Sequence, residues 1–142
     1  FSLVIRRPAV SSMGRGTPRH ESDLDVLIVA DELPKGRMAR VEDFAAIEAQ
    51  LGPRLAAGRQ AGFFTDCSPV FKTPDEVHAG SPLFLDMVDD ARILYDRDGF
   101  FAEALQRLRE RLERLGARRV WRGNAWFWDL KPDYTPGEVF EL

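Results

Sequence analysis

Two aspartates, Asp23 and Asp25, stand at the start of a long apolar run in the sequence. Residues two positions apart on a strand point to the same face, so a strand here would present both carboxylates together. Hard oxygen donors of this kind suit a divalent cation that carries a phosphate-bearing ligand. The spacing therefore predicts a metal site at the beginning of a buried strand.

Two further features favour this interpretation. A polar loop with two glycines, residues 11–16, comes shortly before the pair, and the backbone N–H groups of such a loop can hold phosphate oxygens. Another acid, Asp66, lies in an apolar stretch, where a lone carboxylate is otherwise hard to explain. The three acids and the loop together predict a site for a metal ion and a phosphate-bearing ligand.

The pattern of strands and helices predicts the class of fold. Residues 24–30 are apolar on both faces beyond Asp25, which is typical of a central strand, whereas Pro69 favours an edge position for its own strand. Strands are expected over residues 1–5, 24–30, 63–71 and 91–95, and helices over residues 37–51, 83–88 and 98–116. This alternation predicts an α/β (α+β) architecture in one domain over residues 1–142.

Local signals predict where the helices begin and end. Gly52-Pro53 should stop or kink the first helix. Thr73 and Ser81, each followed by proline, are expected to cap short helices, and Asp98 is expected to cap the last one, which Gly116 should end. That last helix, over residues 98–116, carries an apolar stripe: Phe101, Leu105, Leu108, Leu112 and Leu115. Residues 117–142 show no clear periodicity of apolar positions. We therefore expect an aromatic-rich extended tail that packs on the domain or on a partner.

Composition excludes several classes of protein. The chain has 142 residues and a net charge of −3, so its overall charge gives no sign of nucleic-acid binding. A single cysteine, Cys67, excludes an intramolecular disulfide and a cysteine-based zinc site, which favours a reducing, cytoplasmic location. No apolar run approaches the roughly 20 residues that span a bilayer, and residues 1–5 are too short for the apolar core of a signal peptide. We therefore expect no membrane association.

The pair Ser11-Ser12, the run Arg15-Gly16-Thr17 and the run Ser22-Asp23-Leu24-Asp25 with its apolar strand resemble a known family. They are similar to the minimal nucleotidyltransferase domains of the DNA polymerase beta superfamily, over about residues 10–95. The resemblance implies a nucleotidyltransferase fold, with a central mixed sheet flanked by helices. It also implies that Asp23 and Asp25 bind Mg²⁺ and that Asp66 binds metal or accepts a proton from the attacking hydroxyl.

The same resemblance assigns nucleotide-binding residues to the loop. Ser12 matches a serine that contacts the triphosphate, and Arg15 falls at a position that is often basic. Ser11 completes the predicted nucleotide-binding set, but it stands where the family has glycine. Because glycine lets the backbone approach phosphates without a Cβ, this difference indicates weakened nucleotide binding or an inactive copy.

The activity that the resemblance implies is a Mg²⁺-dependent transfer of a nucleoside monophosphate from a nucleoside triphosphate, expected to be ATP, to a hydroxyl acceptor. A two-metal site is expected, the acceptor is a protein, an RNA or a small molecule, and a partner protein or a homodimer remains open. One alternative is a catalytically weak nucleotidyltransferase-fold module that works by binding, such as the antitoxin of a toxin–antitoxin pair. Another is a plain α/β scaffold in which Asp23 and Asp25 merely begin a strand.

Other candidate residues favour structural roles. His20 and His78 are isolated in sequence and are predicted to lie on the surface. Cys67 should alternate to the face opposite Asp66, which predicts a buried structural thiol. The basic stretch over residues 107–122 is better explained as a solvated helix face than as an RNA contact.

Overall fold

The computed structural model describes residues 2–6, 24–61, 67–123 and 125–142. Its strands are β1 (Ser2–Arg6), β2 (Leu24–Val29), β3 (Cys67–Lys72), β4 (Ala91–Asp96), β5 (Arg118–Arg122) and β6 (Ala125–Asp129). Its α-helices are α1 (Arg37–Gln60), α2 (Pro74–His78), α3 (Pro82–Asp90) and α4 (Phe100–Leu115), and a 3-10 turn covers Arg97–Gly99. Among the helices in these ranges, none combines the length and the apolarity needed to cross a membrane.

The main sheet is mixed, with the strand order β3-β2-β1-β4. β2 and β3 run parallel, whereas β1 runs antiparallel to both β2 and β4. This confirms the predicted α/β (α+β) class, with a central mixed sheet and helices beside it. It also confirms that β2 is an interior strand and that β3, which contains Pro69, lies at the edge.

The alternating side chains of β2 contact two separate apolar clusters. Leu27 and Val29 belong to a cluster with residues of α2, α3 and α4. Val26 and Ile28 belong to a cluster with Phe44 of α1, whose ring packs edge-to-face on Phe71 at 5.8 Å. Burying each of these aliphatic side chains is worth about 1.5–3 kcal/mol, so both sets stabilise the sheet between its helices. The run of apolar residues in β2 is therefore explained by burial on both faces.

Helix α1 is longer than predicted. It continues through Pro53 to Gln60, so the predicted end at residue 51 was wrong, and of the predicted stop or kink at Gly52-Pro53 the stop does not occur. Proline deprives one carbonyl of its helical N–H partner, but this half of α1 is largely exposed and water can satisfy that carbonyl. The predicted apolar stripe is also narrower than expected, because Phe44 is buried while Ile47 is half exposed.

Replacing Pro53 with alanine is expected to stabilise the protein by about 1–2 kcal/mol. Proline costs about 3 kcal/mol relative to alanine inside a helix, and part of that cost is offset because proline restricts the unfolded chain. Urea unfolding followed by far-ultraviolet circular dichroism measures the difference. Equal or lower stability in Pro53→Ala would contradict the continuous helix α1.

The two short helices begin as predicted. The Thr73 hydroxyl accepts a hydrogen bond from the Glu76 N–H at 3.2 Å, and the Glu76 carboxylate accepts one from the Thr73 N–H at 2.8 Å. This reciprocal capping box starts α2. The Ser81 hydroxyl accepts from the Leu83 N–H at 3.4 Å and starts α3, which extends beyond the predicted residues 83–88 at both ends.

Helix α4 has its predicted stripe but a different cap. The carboxylate of Asp96 accepts hydrogen bonds from the backbone N–H groups of Phe101 at 3.0 Å and Ala102 at 2.9 Å. Asp98, the predicted cap, instead lies in the 3-10 turn with a left-handed φ of 56°. The turn moves the start of α4 to residue 100, which brings Asp96 rather than Asp98 to its first N–H groups. Gly116 ends α4 in the left-handed conformation, as predicted.

The C-terminal segment contains a hairpin that its aperiodic sequence did not predict. β5 and β6 pair antiparallel, and the Arg119 guanidinium stacks on Trp126 at 4.4 Å and on Trp128 at 5.3 Å. Arg119 also donates to Asp90 at 3.0 Å, and the Trp128 indole N–H donates to Asp86 at 3.2 Å. Both bonds join the hairpin to α3, so these two tryptophans serve packing in this part of the chain.

Candidate active site

The structure describes one member of the predicted metal-binding set. Asp25 is the second residue of β2 and is half-buried. The other predicted site residues lie outside the described residues: Ser11, Ser12, Arg15, Asp23 and Asp66. Among the residues that are described, no three acidic, histidine or cysteine side chains form a metal-binding group. The assignment of all six residues therefore stays a prediction.

The neighbours of Asp25 in the sheet come from two other strands. Its register partners are Arg6 on the antiparallel strand β1 and Ser68 on the parallel strand β3. Because strand side chains alternate, Asp25 shares its face with Leu27 and Val29, the residues that contact the cluster of α2, α3 and α4. Its carboxylate thus stands at the end of an apolar strand face. Acids are costly in such a position unless they have polar or charged partners.

The parallel pairing of β2 and β3 bears directly on the predicted site. Leu24 pairs with Cys67, and Asp25 pairs with Ser68, so the two strands begin in register. In the sequence, Asp23 immediately precedes Leu24 and Asp66 immediately precedes Cys67. Asp23 and Asp66 are far apart along the chain, yet each comes directly before one residue of the Leu24–Cys67 register pair. Leu24 and Cys67 themselves stand on neighbouring strands, which lie about 4.8 Å apart in a sheet.

Ser68 is an oxygen donor that the sequence interpretation missed. Cys67 packs partly buried against the cluster of Val26, Ile28 and Phe44, on the α1 side of the sheet. Val70 packs on the opposite side, and Ser68 shares the parity of Val70. The Ser68 side chain is therefore on the same face as Asp25. The signal was present in the sequence, since Ser68 follows Asp66 by two positions in a predicted strand.

A polar groove of about 440 Å³ runs along the outer edge of β3. It is lined by Gly36, Arg37, Arg40, Ser68, Pro69, Val70, Phe71, Lys72 and Glu76. Arg40 organises one wall, since its guanidinium donates to Glu76 at 2.8 Å, to the Pro34 carbonyl at 2.9 Å and to the Phe71 carbonyl at 3.3 Å. The hydrogen bond from Arg40 holds the pKa of the Glu76 carboxyl below its usual value. The groove therefore combines basic side chains with one ionised acid.

A second groove of about 560 Å³ lies among the helices on the other side of the core. Its lining comes from α2, α3 and α4 and is mainly apolar, with residues such as Leu85, Leu105 and Leu108. Arg111 at its rim donates to the backbone carbonyl of Leu142 at 2.8 Å. Among the described residues that line this groove there is no Asp or Glu side chain, so they offer few of the donors that a metal–phosphate site needs. The β3 edge is the better candidate for phosphate chemistry.

The chain is similar to a protein of Methanocaldococcus jannaschii named "Putative protein adenylyltransferase MJ1305". The two sequences are 29% identical over 106 residues, which cover 73% of this chain and 67% of the relative. No protein-family model matches the chain, and no solved structure matches it. The similarity supports a nucleotidyltransferase-type family, in agreement with the residues around Asp25.

Proposed function

We propose that this chain is a Mg²⁺-dependent nucleotidyltransferase that moves an adenylyl group from ATP to a hydroxyl group on a protein. The observation that carries the proposal is the in-register start of β2 and β3, with Asp25 on the first strand and Ser68 beside it. The name of the relative supports adenylyl transfer and a protein acceptor. The net charge of −3 gives no support for a nucleic-acid acceptor.

The donor chemistry at the start of β2 fits Mg²⁺. The Asp25 carboxylate and the Ser68 hydroxyl are oxygen donors on one face, and Mg²⁺ is held in proteins by oxygen ligands. We assign the metal ligands to Asp23, Asp25 and Asp66. When bound, Mg²⁺ supplies neutralisation of phosphate charge during an in-line displacement. The three carboxylates would hold it where the triphosphate meets the acceptor.

Residues of the chain would position the reactants and accept the proton. The acceptor hydroxyl oxygen forms a bond to the α-phosphorus of ATP, the bond from that phosphorus to the bridging oxygen breaks, and pyrophosphate leaves. Asp66 takes the hydroxyl proton, while Ser12, Arg15 and the backbone N–H groups of residues 11–16 hold the triphosphate. Such reactions depend mainly on positioning and charge stabilisation, which is what this set of residues offers.

Transfer of label from [α-³²P]ATP tests the proposal. We expect the wild-type protein with Mg²⁺ to label proteins of a cell extract, and we expect chelation of the metal to stop the labelling. The double variant Asp23→Ala/Asp25→Ala should give no label above background, because two of the three proposed ligands are missing. Labelling that survives in the double variant would overturn the assignment.

A second candidate function is favoured by Ser11. A Cβ at this position hinders the close approach of the backbone to phosphates, which suits a nucleotidyltransferase-like module that binds a partner without turnover. Isothermal titration calorimetry separates the two functions. Mg²⁺-dependent binding of ATP supports the enzyme, whereas its absence, together with a gene for a small helical toxin next to this one, supports an antitoxin.

A further inference from the structure

We propose that the polar groove along β3 is the acceptor site and that it takes an extended, acidic segment of a protein carrying the hydroxyl to be modified. This inference rests on the proposed function, because only a transferase needs an acceptor beside Asp25. The groove begins at Ser68, the register partner of Asp25, and continues to Lys72 and the first turn of α1. The Ser68 end of the groove therefore lies beside Asp25, and the Lys72 end lies near the cations of the groove.

The charges of the groove favour an acidic occupant. Three cations (Arg37, Arg40 and Lys72) and one anion (Glu76) line it, which leaves a local charge of +2 on a chain whose net charge is −3. Because the Arg40 guanidinium already binds Glu76, the excess positive charge resides on Arg37 and Lys72. Complementary charge at the rim of an interface selects partners and speeds their encounter. Acidic side chains of the acceptor would pair with these two cations.

The backbone groups at the edge of β3 are poorly suited to pairing with an added strand. An added strand needs a row of unpaired backbone groups, and β3 offers an interrupted one. Pro69 has no N–H, and the Phe71 carbonyl accepts a hydrogen bond from Arg40 at 3.3 Å. The occupant would therefore be recognised by side-chain charge rather than by a continuous backbone ladder. The cations at the far end of the groove would then supply most of the recognition.

The length of β3 sets the spacing of the recognised residues. Ser68 and Lys72 are four positions apart on one strand, which corresponds to about 13 Å at roughly 3.3 Å per residue. An extended acceptor segment spans the same distance with about four residues. With its hydroxyl at the Ser68 end, such a segment would place acids roughly three to five positions away, close to Lys72 and Arg37.

Fluorescence anisotropy of labelled peptides, measured without ATP or Mg²⁺, tests this site. Three peptides of equal length share a central tyrosine and carry acidic, neutral or basic residues at the stated spacing. We expect the acidic peptide to bind best and its binding to weaken as the salt concentration is raised.

The double variant Arg37→Glu/Lys72→Glu should weaken the binding of the acidic peptide by about tenfold or more. Arg54→Glu/Arg122→Glu, two exposed arginines outside the groove, makes the same change in net charge and should leave binding within about twofold.

The outcomes separate failure of the site from failure of the function. Labelling of extract proteins that is equal in the wild type and in Arg37→Glu/Lys72→Glu would overturn the groove as acceptor site while the transferase stands. Preferential binding of the acidic peptide without any transfer from ATP would contradict the proposed function. An oligonucleotide that binds more tightly than the acidic peptide, and through the same two cations, would overturn the protein acceptor. Circular dichroism of each variant ensures that only folded proteins are compared. If the double variant does not fold, Arg37→Glu alone is the milder change to measure.

Discussion

Replacing Asp25 with asparagine is expected to lower kcat/KM for adenylyl transfer by about 10³-fold, with little change in stability. Asparagine keeps the shape of the side chain but removes its negative charge, so the proposed Mg²⁺ site loses one ligand charge. Charge stabilisation of this kind contributes several kcal/mol to phosphoryl chemistry, and about 4 kcal/mol corresponds to 10³ in rate. Asp25 is half-buried near the start of β2, and asparagine fills the same space with a polar side chain, so a large loss of stability is not expected. Single-turnover kinetics with labelled ATP measure the loss.

The matched control for this prediction is Asp43→Asn, the same chemical change at an exposed position on α1. We expect it to retain wild-type activity. A ligand role also predicts that a higher Mg²⁺ concentration restores part of the activity of Asp25→Asn, because weaker binding is offset by mass action. Undiminished activity in Asp25→Asn, or an equal loss in both variants, would exclude Asp25 as a ligand.

The sequence predicted best where the local signal and the packing agree. β2 is apolar at every position after Asp25, and the structure buries it in the interior of the sheet. The strand that contains Pro69 lies at the edge of the sheet as predicted, and Thr73 and Ser81 each cap the helix that follows. In these cases the missing N–H of proline at a strand edge, or the hydroxyl of a capping residue, favours the same local structure that the packing requires.

The sequence analysis failed where the surroundings in the folded chain override a local preference. Pro53 is a helix breaker by propensity, yet α1 passes through it. Asp98 has the right chemistry for a cap, but the turn at Arg97–Gly99 gives that role to Asp96. The hairpin of β5 and β6 has no period-2 signal, because Arg119 and the tryptophans on it pack among themselves and on α3. The cap depends on the geometry of the turn and the hairpin on contacts with α3, whereas the continuation of α1 through Pro53 depends on exposure of that part of the helix to water.

The sequence likewise predicted some features of the candidate site and not others. The spacing of Asp23 and Asp25 indicated a shared strand face from the sequence alone, and Asp66 was proposed as their third member. The sequence could not establish that Leu24 and Cys67 are register partners, because strand pairing depends on the whole sheet. It also gave no sign that the cations Arg37 and Lys72 line one groove with Ser68, since α1 and β3 approach each other only in the folded chain.

Replacing Asp96 with alanine is expected to destabilise the protein by about 3 kcal/mol at pH 7. The Asp96 carboxylate accepts hydrogen bonds from the Ser2 hydroxyl at 2.5 Å and from the first N–H groups of α4. It thereby joins β1, β4 and α4 around one charge. Hydrogen bonds to an ionised group are worth about 1.5–3 kcal/mol each, and loss of a helix cap costs about 0.5–2 kcal/mol. Urea unfolding measures the change. Asp98→Asn, in the adjoining 3-10 turn, is the control and should change stability by less than about 0.5 kcal/mol.

The contribution of Asp96 is also expected to depend on pH. Burial opposes the ionisation of Asp96, but hydrogen bonds from the Ser2 hydroxyl and from the Ala102 and Phe101 N–H groups outweigh it and hold its pKa below the ordinary value. The unfolded chain, with an aspartate pKa of about 3.9, therefore takes up the proton first as the pH falls. The stabilisation is complete above that pKa and is lost as the pH falls through the folded pKa. The stability difference between wild type and Asp96→Ala should thus shrink below about pH 4, and a difference that stays constant down to pH 3 would contradict the ionised cap.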